Sequence, residues 1–113
     1  ENGPRRVNHA AAPLKHFIYS FGGYSNTEDY SRQTPIDIHI LNTSNRPSFF
    51  DSMKIDEFRP TFRNIEMEFL PKPERTDPNY VSTPYSRYGH TVIVYNEKFY
   101  LWGGRNDHSG ACN

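Results

Sequence analysis

The sequence predicts an all-β protein built from repeated antiparallel sheets. Two passages of the chain align without a gap at one constant offset, the offset that carries His9 onto His90. Each passage starts with an arginine, reaches the histidine three residues later, and continues through apolar and aromatic residues into a glycine pair. The four glycines are Gly22 and Gly23 in the first passage and Gly103 and Gly104 in the second. Such self-similarity is typical of repeat architectures.

The second passage predicts a β-hairpin. Residues 91 to 95 are β-branched or aromatic, residues 96 to 98 are polar turn material, and residues 99 to 102 are apolar again. The first passage contains three helix-prone alanines at positions 10 to 12 and a turn signal at positions 13 to 16. Its alignment with the second passage favours a hairpin there as well. The nearly continuous hydrophobicity indicates strands that are covered on both faces.

A third strand is predicted from alternation with a period of two. Ile36, Ile38 and Ile40 would lie on one face of this strand, with Asp37 and His39 on the other. A fourth strand is predicted at residues 65 to 70, where apolar and acidic residues alternate.

These strands predict an organisation in three parts. Residues 1–43 hold the first three strands of one sheet unit, and residues 44–84 form an expanded connection that contains the fourth strand. Residues 85–113 begin a second unit, with two strands. Residues 44 to 62 and 71 to 84 are expected to be connections without regular structure.

Composition narrows the function classes. Lysine and arginine total 13, as do aspartate and glutamate, so the chain has no net charge to attract nucleic acid or an anionic membrane. The single cysteine, Cys112, cannot form an internal disulfide, which favours the cytoplasm or nucleus. No apolar stretch approaches the roughly 20 residues of a membrane span. We therefore expect neither direct nucleic-acid binding nor membrane insertion.

The residues that could carry catalysis or bind metal are scattered. The five histidines lack metal-ligand spacing, and neither a Ser-His-Asp order nor a phosphate-binding glycine loop is present. The histidines are His9, His16, His39, His90 and His108. We expect no catalytic residue, no metal and no cofactor.

Taken together, the motifs resemble the kelch repeat, the blade of kelch β-propellers. The pattern is Arg-x-x-His, a strand, a turn, a strand ending in two glycines, and then Asp37-x-x-x-Leu41-Asn42-Thr43. The resemblance implies a propeller fragment of about one and a half to two four-stranded antiparallel blades. The glycine pairs would end a buried strand beside the neighbouring blade, where the chain must turn sharply. The expected structural positions are His9, Gly22, Gly23, His90, Trp102, Gly103 and Gly104.

Blade topology predicts a partner-binding rim. The start of the first strand and the end of the second lie on the same face of a propeller, so residues flanking these points converge there. Arginine and aromatic residues on such a surface are typical of interaction hot spots. The predicted partner-binding residues are Arg6, Tyr24, Arg87, Arg105 and Asn106. An arginine here would either pair with a carboxylate of the next blade or hold a ligand carboxylate.

The resemblance also implies a function. Kelch propellers of this kind include substrate receptors of cullin-2 ubiquitin ligases, whose pocket captures the carboxyl end of a partner chain. We expect Arg6 and Arg87 to border such a pocket, and elongin B/C and cullin-2 to bind a region outside this chain.

Two alternatives stay open. One is a chromatin-associated scaffold in meiotic recombination, and the other, less favoured, is a copper oxidase of the kelch-propeller type. Two isolated blades would leave apolar flanks uncovered, so marginal stability or aggregation is expected.

Overall fold

The computed structural model describes residues 5–43 and 66–112, with the backbone alone for residues 66 to 69. Within these residues every regular element is a β-strand, which confirms the predicted all-β class. The strands are β1 (Ala10–Leu14), β2 (Phe17–Phe21), β3 (Ile38–Asn42), β4 (Glu66–Leu70), β5 (Tyr88–Tyr95), β6 (Lys98–Asn106) and β7 (Gly110–Ala111). The described part of the chain contains no helix long and apolar enough to cross a membrane.

The strands form two antiparallel sheets. The first has four strands in the order β1-β2-β3-β4, and the second has three in the order β5-β6-β7. The expectation of two strands in the second unit is therefore wrong, because the short β7 pairs with the end of β6. Residues 71 to 84 form turns without strands, and the connection expected at residues 44 to 62 lies outside the described residues. The division of the chain at residues 43 and 84 stays a prediction.

Both hairpins turn over two residues, which is tighter than predicted. In the first unit Pro13 and Leu14 belong to β1. Proline is compatible with this position because β1 lies at the edge of its sheet. In the second unit Asn96 and Glu97 both have positive φ, 49° and 58°, which is the conformation of a type I′ turn. The predicted turn residue Lys98 is consequently the first residue of β6.

The two units pack face to face through an apolar core. Its buried centre contains Ala12, Phe21 and Ile36 from the first unit and Val92 from the second. The Phe99 ring of β6 lies against it, with its centroid 5.1 Å from that of Phe21. The core therefore lies between the sheets, as expected of neighbouring blades.

Backbone hydrogen bonds join the units where β3 was predicted to begin. The N–H of Ile36 donates to the carbonyl of Pro84 at 2.8 Å, and the N–H of Ser86 donates to the carbonyl of Thr34 at 2.6 Å. Because this segment pairs with the second unit, β3 starts at Ile38 and not at Ile36. The isoleucines alternate on both sides of this junction, so the sequence pattern predicted a single strand that included Ile36.

The histidine and the second glycine of each repeat make the same close contact. A Cβ on Gly23 would lie 2.7 Å from Cβ of His9, and one on Gly104 would lie 2.9 Å from Cβ of His90. Both glycines also have positive φ, 92° and 91°. Any side chain at either position would meet both a steric clash and an unfavourable backbone conformation.

Candidate partner-binding surface

Arg6 lies at the centre of a charged network inside the first unit. Its Nη2 donates to Oδ2 of Asp37 at 2.6 Å and to Oε1 of Glu28 at 2.8 Å. Its Nη1 donates to the hydroxyl oxygen of Tyr30 at 3.2 Å. The Arg6 side chain is 12% exposed and that of Asp37 is 2% exposed. The guanidinium is thus held by carboxylates of its own unit.

The electrostatics favour the charged forms of Arg6 and Glu28. Burial alone would lower the pKa of Arg6, but the hydrogen bond with Glu28 and the charge of Asp37 raise that pKa above its usual value. Burial alone would raise the pKa of Glu28, but the Arg6 hydrogen bond and the charge of Lys72 lower it. Lys72 lies in the segment after β4, with Nζ 3.6 Å from Oε1 of Glu28. The network therefore ties this segment to the start of the chain.

Three tyrosines pack together beside Arg6, and we call Tyr24, Tyr30 and Tyr88 the tyrosine cluster. The rings of Tyr24 and Tyr30 are stacked at a centroid distance of 5.2 Å. Tyr88 meets both rings edge to face, at 5.5 Å and 5.6 Å. Offset and edge-to-face pairs are the favourable aromatic geometries. The cluster joins the rims of the two units, because Tyr88 belongs to the second.

Tyr30 anchors this cluster through its hydroxyl group. The hydroxyl donates to the carbonyl of Gly23 at 2.6 Å and accepts a hydrogen bond from the N–H of Ser25 at 2.8 Å. The Tyr30 residue is 3% exposed, whereas Tyr24 is 41% exposed. One tyrosine of the cluster is therefore structural, and another presents its ring to solvent.

The second repeat arginine, Arg87, has a different environment. Its Nε donates to the carbonyl of Tyr85 at 3.2 Å, and its Nη1 donates to the carbonyl of Gly103 at 3.1 Å. The guanidinium carbon lies 4.6 Å above the Tyr85 ring centroid, a cation–π arrangement. No ion pair of Arg87 occurs among the described residues. Arg87 is 4% exposed and Arg6 is partly buried, and of the two only Arg6 forms ion pairs among the described residues.

Asn106 is fully buried. Its Nδ2 donates to the carbonyls of Arg32 at 3.1 Å and Ser86 at 2.8 Å, and its Oδ1 accepts from the N–H of His108 at 2.9 Å. The side chain thus joins three segments of backbone, with 0% of the residue exposed.

The exposed residues Tyr24 and Arg105 lie beside the partly buried Tyr88, and we call these three residues the rim surface. Tyr88 and Arg105 are directly opposite each other in the β5–β6 pair. Arg105 has a 62% exposed side chain and lies 3.6 Å through Nε from Oδ1 of Asp107. The Tyr88 hydroxyl donates to the same Asp107 oxygen at 2.9 Å. Aromatic and guanidinium groups therefore adjoin on an open surface supported by strands.

The structure thus divides the five predicted partner-binding residues. Tyr24 and Arg105 lie on the rim surface. Arg87 and Asn106 are buried, Arg6 is partly buried, and all three are hydrogen-bonded within the chain. Their part in partner binding stays a prediction.

Sequence reasoning also missed several residues of this region. These are Glu28, Tyr30, Tyr88 and Asp107. Asp37 was predicted on the face of the third strand opposite the isoleucines, although it also opens the Asp-x-x-x-Leu-Asn-Thr motif. That motif was the available signal that Asp37 has a structural partner.

Two of the predicted structural residues in the second unit differ in exposure from the residues at the matching positions of the first unit. His90 is 7% exposed, whereas His9 is exposed. Trp102 is 75% exposed, whereas Phe21 at the matching position of the first unit is 6% exposed. Among the described residues, no group of three or more histidine, cysteine, aspartate or glutamate side chains is arranged to hold a metal ion.

The repeated antiparallel sheets, each with a histidine packed on the second glycine, define the class as a kelch-type propeller fragment. No family model matches the chain. Over all 113 residues the chain is 41% identical to Kelch domain-containing protein 3 of Rattus norvegicus and of Bos taurus, and 40% identical to that of Homo sapiens. The chain spans 25% of the length of each of these relatives. The predicted kelch resemblance is confirmed, and these relatives support a protein-binding kelch-repeat domain.

Proposed function

We propose that this chain is part of a substrate receptor of a cullin-2 ubiquitin ligase that binds the carboxyl-terminal degron of a partner protein. The observation that carries the proposal is the rim surface, where exposed Tyr24 and Arg105 adjoin Tyr88. Tyrosine and arginine are enriched at the energetic centres of protein interfaces. The supporting strands and the tyrosine cluster hold these side chains in place, so less conformational entropy is lost on binding.

Arg105 is the residue best suited to receive a carboxylate. Its ion pair with Asp107 is long and exposed, which makes it weak in water. A terminal carboxylate offers two oxygens to a planar guanidinium and forms a stronger, bidentate contact. A ligand carboxylate can therefore replace Asp107 at little cost.

Arg6 and Arg87 support this surface in different ways. Arg6 uses its guanidinium to bind Glu28 and Asp37, so it fixes the loop that carries Tyr30. Arg87 has no carboxylate among the described residues, and we propose that its charge adds to the positive potential that a degron carboxylate meets. It directly precedes Tyr88 in the chain.

The remaining parts of the assembly lie outside this chain. Elongin B/C and cullin-2 would bind another region of the complete protein, in the cytoplasm or the nucleus. Ubiquitin transfer would be carried out by other subunits, so we propose no catalytic residue, metal or cofactor here.

Peptide binding by the complete protein tests the proposal. We would compare an array of short peptides that have a free carboxyl end with the same array amidated. The peptide bound most tightly would then be measured against Arg105→Ala by fluorescence polarisation. Loss of a charged hydrogen bond is worth roughly 1.5–3 kcal/mol, so affinity is expected to fall about 10- to 100-fold.

A matched control is Arg75→Ala, since Arg75 is an exposed arginine in the connection between the units. It should leave affinity unchanged. Equal binding of free and amidated peptides would contradict the carboxylate hypothesis.

The assembly itself is tested by affinity purification of the complete protein from cell lysate. Recovery of cullin-2 and elongins supports the ligase role. Recovery of chromatin proteins without them would favour the alternative of a chromatin-associated scaffold.

A further inference from the structure

Asp107 lies beside the part of Arg105 that a bidentate ligand carboxylate would use. Oδ1 of Asp107 is 3.6 Å from Nε of Arg105. A guanidinium binds a carboxylate bidentately through two parallel N–H groups, and the Nε–H group belongs to one of these pairs. Among the described residues, Asp107 is the carboxylate that forms an ion pair with Arg105. The guanidinium of Arg105 therefore already has a loose partner before any ligand binds.

The hydroxyl group of Tyr88 holds Asp107 in this position. It donates to the same Oδ1 atom at 2.9 Å. This hydrogen bond raises the pKa of Tyr88 above its usual value, so the hydroxyl group stays protonated and remains a donor. The Tyr88 ring is fixed in turn by its edge-to-face contacts with Tyr24 and Tyr30. Asp107 consequently keeps its position when its contact with Arg105 is broken.

The exposure of this pair belongs to the rim and not to an uncovered sheet face. At the constant offset of the repeat, Arg105 corresponds to Tyr24. Tyr24 contacts the second unit through the Tyr88 ring and is still 41% exposed. The position therefore stays open in the first repeat although a neighbouring unit is present, and we expect the same for Arg105 in the second repeat.

A ligand carboxylate would meet two opposing charges at this place. Arg105 attracts it, whereas Asp107 repels it. Breaking the long contact between Asp107 and Arg105 costs little, but the negative charge of Asp107 stays beside the site because Tyr88 still binds it. Two like charges about 4 Å apart in water lower an affinity about fivefold. Binding of any carboxylate to Arg105 is weakened by this amount.

We infer that Asp107 is an internal competitor that limits how tightly Arg105 binds the carboxyl end of a partner protein. The inference rests on the proposed function and adds a regulation of the same site. A carboxylate by itself would bind weakly, so a partner must supply further contacts, such as packing of an apolar side chain on the exposed Tyr24 ring. Asp107 would thereby keep small free carboxylates from occupying Arg105.

Asp107→Asn tests the inference with little change in shape. Asparagine keeps an oxygen that can accept the Tyr88 hydrogen bond, and the substitution removes the charge. The probe is the free-carboxyl peptide that binds the complete protein most tightly in the array described above. By fluorescence polarisation we expect its affinity to rise about 5- to 10-fold. The gain should shrink in about 1 M salt, where the screening length is about 3 Å.

Unchanged or lower affinity in Asp107→Asn would overturn the inference, because a residue that only orients Arg105 would give that result. The matched control is Glu97→Gln, which removes the same charge from the turn at the opposite end of the β5–β6 hairpin. It should leave the affinity unchanged. An equal gain in Glu97→Gln would show an effect of net charge alone and would also overturn the inference.

A double-mutant cycle tests whether the effect depends on Arg105. In the Arg105→Ala background, Asp107→Asn should raise the affinity much less than it does in the unchanged protein, because the site of competition is gone. The same gain in both backgrounds would contradict competition for Arg105.

A measurement without peptide separates this inference from the proposed function. Absence of binding by every free-carboxyl peptide would refute the proposed function. Phenylglyoxal, a reagent for arginine guanidinium groups, tests the role of Asp107 directly in the ligand-free complete protein. Mass spectrometry should show faster modification of Arg105 in Asp107→Asn than in the unchanged protein. Equal rates would overturn the inference whatever the peptides do.

Discussion

The backbone N–H of Gly23 donates a hydrogen bond of 3.0 Å to the carbonyl oxygen of Arg87. The glycine pair of the first repeat is thus bound to the arginine that opens the second. Gly22 is packed against the same carbonyl: a Cβ there would lie 2.8 Å from the Arg87 oxygen, and φ is 51°. Gly103, its counterpart in the second unit, has a φ of 71°, but no described atom beyond its chain neighbours lies within 4 Å of a Cβ at that position.

Substitution of the two glycines should therefore have unequal effects. Gly22→Ala adds both backbone strain and an overlap with a backbone atom, so we expect the free energy of unfolding to fall by roughly 2–4 kcal/mol. Gly103→Ala adds the strain alone, about 1–2 kcal/mol. Urea unfolding followed by circular dichroism measures both. Equal losses would show that the contact with Arg87 has no energetic weight.

Removal of Arg6 should destabilise the first unit strongly. Arg6→Ala leaves the buried carboxylate of Asp37 without its cation, and breaking such a pair costs about 3–5 kcal/mol. The matched control is Arg105→Ala, whose ion pair is exposed and should leave the unfolding midpoint nearly unchanged. Chemical unfolding of both variants makes the comparison. Similar midpoints for the two would contradict the structural role of the Arg6 network.

Two variants in the tyrosine cluster each remove a single hydroxyl oxygen from the protein. Tyr30→Phe removes the hydroxyl that binds Gly23 and Ser25, and leaving those groups unpaired costs roughly 1–3 kcal/mol. Tyr88→Phe removes a hydroxyl that donates to the exposed Asp107 carboxylate, and should have a much smaller effect. Thermal unfolding compares the two, and the opposite order would be incompatible with the geometry of Tyr30.

Stability should decrease as the pH falls below neutrality. Burial, and then the charge of Arg87, lower the pKa of His90 from its ordinary value near 6.5. Burial also lowers the pKa of His39. The unfolded state therefore binds more protons than the folded state below about pH 6.5, so the free energy of unfolding falls as the pH decreases toward the folded-state pKa values.

Urea unfolding at about pH 7.5 and about pH 5.5 measures this dependence, since the interval contains the ordinary histidine pKa. His90→Gln should flatten it, whereas His108→Gln, at an exposed position, should not. An unchanged slope in His90→Gln would mean that His90 does not contribute.

Variants of Arg87 distinguish a structural role of this residue from a role in peptide binding. Arg87→Ala should lower stability, because the carbonyls of Tyr85 and Gly103 lose their donor. If its charge also attracts a degron carboxylate, peptide affinity of the complete, folded protein should fall, with partial recovery in Arg87→Lys. Fluorescence polarisation below the unfolding temperature measures this. Unchanged affinity in Arg87→Ala would make the residue structural alone.

A structural feature could be predicted from the sequence when the residues that specify it are close together in the chain. The hairpin from Tyr88 to Asn106 was predictable because β-branched and aromatic residues surround a polar turn. The Ala10–Leu14 strand contradicts local propensity and was predictable only through its alignment with the second repeat. By contrast, the rim was predicted from topology, which places backbone but does not decide whether a side chain turns outward.

The sequence alone determined the repeat, the all-β class and the glycine positions, because strand period and backbone conformation are properties of neighbouring residues. Only the tertiary structure decided that Arg6 pairs with Glu28 and Asp37, while Arg87 binds carbonyls and Asn106 is enclosed. The physical reason is that a buried polar group must find its partners, and these partners come from segments that are distant in the chain. Such choices depend on which loops meet in space, and the same repeat motif therefore has different surroundings in each unit.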